Sequence, residues 1–193
     1  MRISGFMLEN KGSPMFIRPA TPSDSDNISS LHVDATRHGY QNFADASYLA
    51  QLDQDITPAK WAEWLNDSTH ALIAFTDDSE AQATGFISFG PIRTRIKEDR
   101  GIMPSWPGEI YGLYLHPDHW GNGIAQALMR AITDPMRKNY WDKALLWVID
   151  KNKRAVSFYE QMGGQRVGKQ QADIGGKTVT ELAFGWKDIT RIK

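Results

Sequence analysis

The chain has 193 residues, of which 41% are hydrophobic and 23% charged, and a formal net charge of −1. This fits one globular domain with a real core, too short for two, and gives no general attraction to nucleic acid or an anionic membrane. No apolar run approaches the roughly 18 residues of a membrane-spanning helix, and the lack of cysteine excludes disulfides, a thiol nucleophile and thiolate metal ligands.

The opening "MRISGFMLENKGSP" (1–14) is interrupted by Glu9 and Lys11 and has no small-residue cleavage site, so it does not read as a secretory signal. It is expected to be a mobile extension, before a domain over 15–187 and a tail over 188–193. "MFIRPA" (15–20) reads as a first strand ended by Pro19. Ser and Asp in "TPSDSDNISSLHVDATRHGY" start a helix that places Ile28, Leu31, Val33 and Ala35 on a loose apolar face. "PAKWAEWLN" (58–66) is a second helix, with Pro58 suited to its first turn. "HALIAFT" (70–76) and "ATGFISFG" (83–90) form a hairpin across the polar "DDSEAQ".

Residues 91–108 carry three prolines and no clean period, and read as a long loop of the kind that often serves function. "EIYGLYL" (109–115) is a strand whose interior Gly112 marks a bulge or a close backbone approach. A helix follows from about Gly123, with Ile124, Leu128, Ala131 and Ile132 on one face, and Pro135 ends or kinks it near Asp134. "KALLWVID" (143–150) has the continuous apolar character of a central strand. "NKRAVSFYEQMGG" (152–164) is a short helix stopped by two glycines, and the last two strands meet at a Gly175-Gly176 turn. The order predicts a single mixed α/β (α+β) domain without repeats.

One stretch carries chemistry. In "LYLHPDHWGNGIAQALM" (113–129) a strand opens into a helix through Gly121 and Gly123. The first amides of such a helix lack partners and favour an anion, and glycine removes side chains that would keep a phosphate away. An ordinary tight turn explains the same residues. A dinucleotide fingerprint fails, because Gln126 stands at its third glycine. "GGKT" (175–178) is no phosphate loop, since Gln171 replaces its first glycine and a hairpin turn is expected there.

With the downstream Asn152, Ala155, Phe158-Tyr159-Glu160 and Gly163, the segment Trp120-Gly121-Asn122-Gly123-Ile124-Ala125 resembles the GNAT superfamily of N-acetyltransferases. In that family an R/Q-x-x-G-x-G/A segment wraps the acyl-CoA pyrophosphate. The resemblance spans roughly 15–187 in motif order and element order. It implies a mixed sheet of about six to seven strands, splayed between the fourth and fifth, with about four flanking helices. It also implies an acetyl-CoA-dependent acyltransferase without a metal, placed in the cytoplasm. The chain departs from the pattern at Trp120, where the family has Arg or Gln, and at Gly164, where an aromatic is usual.

By the same resemblance, Leu113, Tyr114 and Leu115 pair with the pantetheine arm and the Leu115 amide donates to the thioester carbonyl. Trp120, Gly121, Asn122, Gly123, Ile124, Ala125 and Gln126 surround the phosphates. Tyr159 is the expected general acid and also contacts the cofactor; a core tyrosine is the plainer reading. Asn152 holds the CoA arm, or caps its helix. Glu109, placed by strand alternation on the face of Tyr111 and Leu113, is the expected base, or else a solvated strand-end charge. His38, Tyr40, Tyr48, Trp106 and Trp147 are expected around the acceptor, where aromatic walls suit a cation. His116 and His119 have no third ligand and read as a turn rather than a metal pair. The expected acceptor is a small or amino-acid-like primary amine, attacked directly. A protein N-terminus or lysine, and a non-catalytic acyl-CoA-binding module, stand as alternatives, and a homodimer is compatible with this reading.

Overall fold

A computed structural model describes residues 6–10, 13–76, 82–93 and 106–193. The middle of the proline-bearing loop and most of the "DDSEAQ" turn lie outside the described residues. The elements are β1 (Phe6–Asn10), β2 (Ser13–Pro19), α1 (Ser25–Gly39), α2 (Ala46–Asp55), α3 (Pro58–Asn66), β3 (His70–Phe75), β4 (Gly85–Pro91), β5 (Gly108–Leu115), α4 (Ile124–Ala131), α5 (Thr133–Lys138), β6 (Ala144–Ile149), α6 (Lys153–Gln161), β7 (Gln165–Ile174) and β8 (Lys177–Trp186).

The strands form one sheet in the order β1-β2-β3-β4-β5-β6-β8-β7. All neighbours are antiparallel except β5 and β6, which run parallel and pair only at Gly108↔Ala144 and Glu109↔Leu145. Beyond Glu109 the two strands part, and a gap opens between the C-terminal halves of β5 and β6. This is the expected splay. The bulge behind it sits one residue from the expected glycine: Ser88 pairs with Gly112 and Phe89 with Ile110, so Tyr111 is the extra residue.

Alternating side chains divide the core. On one face Leu72, Ile87, Ile110, Leu146 and Phe184 pack under Ile124, Leu128 and Met129 of α4 and Val156 of α6. On the other, Ile73, Phe75 and Phe86 meet Ile28, Leu31 and Trp61 of α1 and α3. Each such side chain stabilises the fold by about 1.5–3 kcal/mol on burial. Arg18 at the end of β2 makes a two-pronged pair with Asp24 (2.9 and 2.8 Å), tying the strand to the start of α1.

Several expectations change. Residues 6–10, read as part of a mobile extension, pair with β2 from Phe6↔Ile17 to Asn10↔Ser13, because the outer edge of β2 offers unpaired backbone groups. The 188–193 segment packs rather than trailing: Ile189 is fully buried and its N–H donates to Asp142 O at 2.8 Å. Helix α2 went unpredicted because only Leu52 is buried, leaving little apolar periodicity to detect. Among the described residues six α-helices flank the sheet, α2 and the short α5 adding to the about four expected. Pro135 lies in the first turn of α5, so the long helix breaks at Ile132 rather than Asp134.

Candidate active site

The turn before α4 is built on two left-handed glycines, Gly121 (φ 79°) and Gly123 (φ 77°). Gly123 is the N-cap and no side chain caps the helix. The first amide in the helix's own ladder is that of Ala127, donating to Gly123 O at 3.0 Å. The amides of Ile124, Ala125 and Gln126 therefore face outward. A Cβ at Gly121 would meet nothing within 4 Å. Open space in front of an uncapped helix start is what a pyrophosphate needs, and these residues fit the phosphates of CoA.

The gap continues from this turn. His116 N donates to Thr84 O, just before β4, so by alternation the N–H and C=O of Leu115, and those of Leu113, turn toward the gap beside β6. Trp120 stands at the mouth. Its indole N–H donates to Leu115 O at 3.3 Å, its ring meets His38 edge-on at 4.9 Å, and the Arg154 guanidinium lies 3.3 Å from its centroid. Asn122 lies in the turn between the two glycines. Asn152 caps α6, its Oδ1 accepting from Ala155 N at 3.2 Å.

Tyr159 projects from α6 and is buried against Phe184 and Trp186. Burial pushes its phenol well above the ordinary value near 10, and Tyr40 pushes it further. Burial likewise raises Tyr40 to about 12, assisted by Glu181 and Tyr48. Tyr114, raised by burial, also senses Tyr40, Tyr159 and Tyr48. Tyr40 at the end of α1, Tyr48 of α2, Tyr114 of β5 and Tyr159 of α6 therefore lie within electrostatic range of one another, and Glu181 within range of Tyr40. On β6 and β8 the pairs Trp147↔Ala183 and Ile149↔Glu181 share one face, opposite Val148 and Leu182, which pack toward α6. Trp147 and Glu181 thus face the same side.

Other expected site residues sit apart. Trp106 is buried, its ring filling the space above Gly185 lower on the same face. His38 is exposed except for its contact with Trp120. Glu109 is buried, and its Oε2 accepts the Arg93 N–H at 2.8 Å. It does not share a face with Leu113: the extra residue Tyr111 resets the alternation, so Ile110 and Leu113 both pack under α4 and Glu109 turns to the opposite side. Among the described residues no three His, Cys, Asp or Glu side chains could hold a metal together. His116 Nδ1 instead accepts the Asp118 N–H at 3.4 Å.

Sequence reasoning missed Glu181, Arg154 and the row His32, Thr36, Tyr40. That row follows the four-residue spacing of one α1 face, the signal that could have found it. His32 packs on Tyr114 (4.2 Å), Phe86 (5.8 Å) and Trp61 (5.6 Å), and its buried Nδ1 has no hydrogen-bond partner. A cavity of about 1030 Å³ runs along α4 from the glycine turn, lined by Gly121, Gly123 and Gln126 and by Met15, Ile17 and Leu72, and does not include Tyr159 or Glu109.

The model of the acetyltransferase (GNAT) family matches residues 33–164. An uncharacterized N-acetyltransferase of Bacillus subtilis (strain 168), YuaI, is 27% identical over 177 residues, covering 92% of this chain and 95% of the relative. The fold is similar to that of the PaiA N-acetyltransferase from Thermoplasma acidophilum solved with coenzyme A (TM-score 0.63, 20% identity, 87% of this chain and 97% of that one). It is also similar to the ribosomal-protein-S5-alanine acetyltransferase from Vibrio fischeri (TM-score 0.67, 17% identity, 95% and 96%). With the open glycine turn, the parted strands and these likenesses, the chain belongs to the GNAT family of acetyl-CoA-dependent acetyltransferases.

Proposed function

We propose that the protein acetylates the primary amine of a small or amino-acid-like acceptor by direct attack on acetyl-CoA. The reading rests on Tyr40, Tyr48, Tyr114 and Tyr159 lying within electrostatic range of one another, with Glu181 within range of Tyr40 and on the sheet face of Trp147. Aromatic faces beside one carboxylate attract an organic cation. This side is also closed: the β7–β8 turn docks on the segment before α2, with Asp45 N donating to Gly175 O at 3.1 Å and Lys177 Nζ to Ala44 O at 3.0 Å. Closure there favours a compact acceptor over a polypeptide.

When bound, acetyl-CoA supplies an activated thioester. The Leu115 N–H is aimed to polarise its carbonyl. Glu109 is buried low on the sheet face of Trp147, by its pairing with Leu145, and takes through water the proton that an ammonium must lose before it can attack. The N–C bond then forms as the C–S bond breaks. Tyr159 gives its phenol proton to the departing sulfur and recovers one from the nitrogen as the amide forms. A phenol raised by burial is a weaker acid, but the same dry site raises the thiol, so donor and acceptor remain matched.

Thiol release from acetyl-CoA across small amines and amino-acid amides, beside N-terminal and lysine peptides, tests this reading. Turnover with small amines supports it. Turnover with peptides alone assigns a protein acceptor, and tight acetyl-CoA binding without any turnover assigns a binding module.

A further inference from the structure

The residue that the family pattern makes Arg or Gln is Trp120 here. An indole cannot neutralise a phosphate, and its one N–H is already given to Leu115 O. The missing charge stands directly over the ring. The Arg154 guanidinium, from the first turn of α6, lies 3.3 Å from the Trp120 centroid. Its neighbour Lys153 is held by Asp150 at 3.1 Å, whereas among the described residues no carboxylate lies within ion-pair distance of Arg154. A guanidinium held by one face on an aromatic ring keeps its N–H edge free for a bidentate anion. The residue after Trp120 is Gly121, which opens onto empty space at the phosphate turn.

We propose that Arg154, mounted on the face of Trp120, supplies the side-chain cation for the CoA pyrophosphate that this chain no longer carries at position 120. The charge has moved from the glycine turn to α6, and the indole has become its platform. This rests on CoA binding and is independent of which amine is acetylated.

Calorimetric titration of the full chain with CoA and with 3′-dephospho-CoA tests it without turnover. Arg154→Ala should weaken both ligands by about tenfold or more, the scale of a lost charge-assisted contact. Arg154→Gln, which keeps length over the ring but no charge, should lose as much. Adding Trp120→Arg to Arg154→Ala should recover most of the affinity. Wild-type binding by Arg154→Ala and Arg154→Gln would overturn the proposal. So would a loss confined to CoA, which would assign Arg154 to the 3′-phosphate, or no recovery in the double variant.

Discussion

The indole of Trp120 reaches back across the mouth of the gap to the carbonyl of Leu115, a hydrogen bond of 3.3 Å five residues along the chain. It occupies the acceptor half of a residue whose N–H faces the gap beside β6. Trp120→Phe keeps a ring for Arg154 and removes that N–H. Urea unfolding should register a loss of about 1 kcal/mol, the net value of one hydrogen bond. No change would mean that the contact does not brace the loop.

Gly121 and Gly123 should separate binding from stability. At φ 79° an alanine strains the backbone by about 1–2 kcal/mol. At Gly121 its methyl also projects into the open space before α4. Gly121→Ala should therefore weaken CoA by more than it lowers stability, read by titration and by unfolding on the same sample. Equal losses would place the phosphates elsewhere.

His32 predicts an acid limb in stability. Burial among Trp61, Phe86 and Tyr114 pushes its imidazole down to about 4. Between pH 6.5 and 4 the unfolded chain binds a proton that the folded one refuses, so stability falls as pH drops through that window, by up to about 3 kcal/mol. Since its Nδ1 has no partner, His32→Leu loses no hydrogen bond there. Unfolding free energies at pH 7.5, 6 and 5 should move steadily in favour of the variant. Parallel curves would contradict the buried neutral imidazole. Asp24, held below the ordinary carboxylate value by Arg18 and Thr21 against its own burial, acts only at lower pH.

Tyr159 makes a prediction for the alkaline side. Its phenol is raised well above 10, so it stays protonated wherever the acceptor amine is deprotonated. The rate should rise with pH as the amine loses its proton and should not fall below about pH 10. A descending limb near pH 9 that disappears in Tyr159→Phe would show an acid of ordinary strength instead.

Much of the site was legible because its signals are local. Gly121, Gly123 and the helix face of Ile124 and Leu128 state their geometry within a few residues, and so does the Gly175-Gly176 turn. Errors arose where the outcome depends on partners far along the chain. Alternation placed Glu109 with Leu113, but the bulge is fixed by β4, which pairs Phe89 with Ile110 and skips Tyr111. Strand β1 has meaning only beside the bare edge of β2. Glu181 and Arg154 look like surface charges until β8 and α6 bring them to Tyr40 and Trp120. Helix α2 buries a single leucine and so left almost no periodic trace.

The central claim is that Tyr159 protonates the leaving sulfur, and Tyr159→Phe addresses it most directly. The variant removes one buried oxygen and leaves the glycine turn and the Trp120–Arg154 pair in place. With kcat measured by thiol release and acetyl-CoA affinity by titration, kcat should fall by about 100-fold or more while affinity stays within a few-fold. An unchanged kcat, or a loss of affinity as large as the loss of rate, would contradict the account.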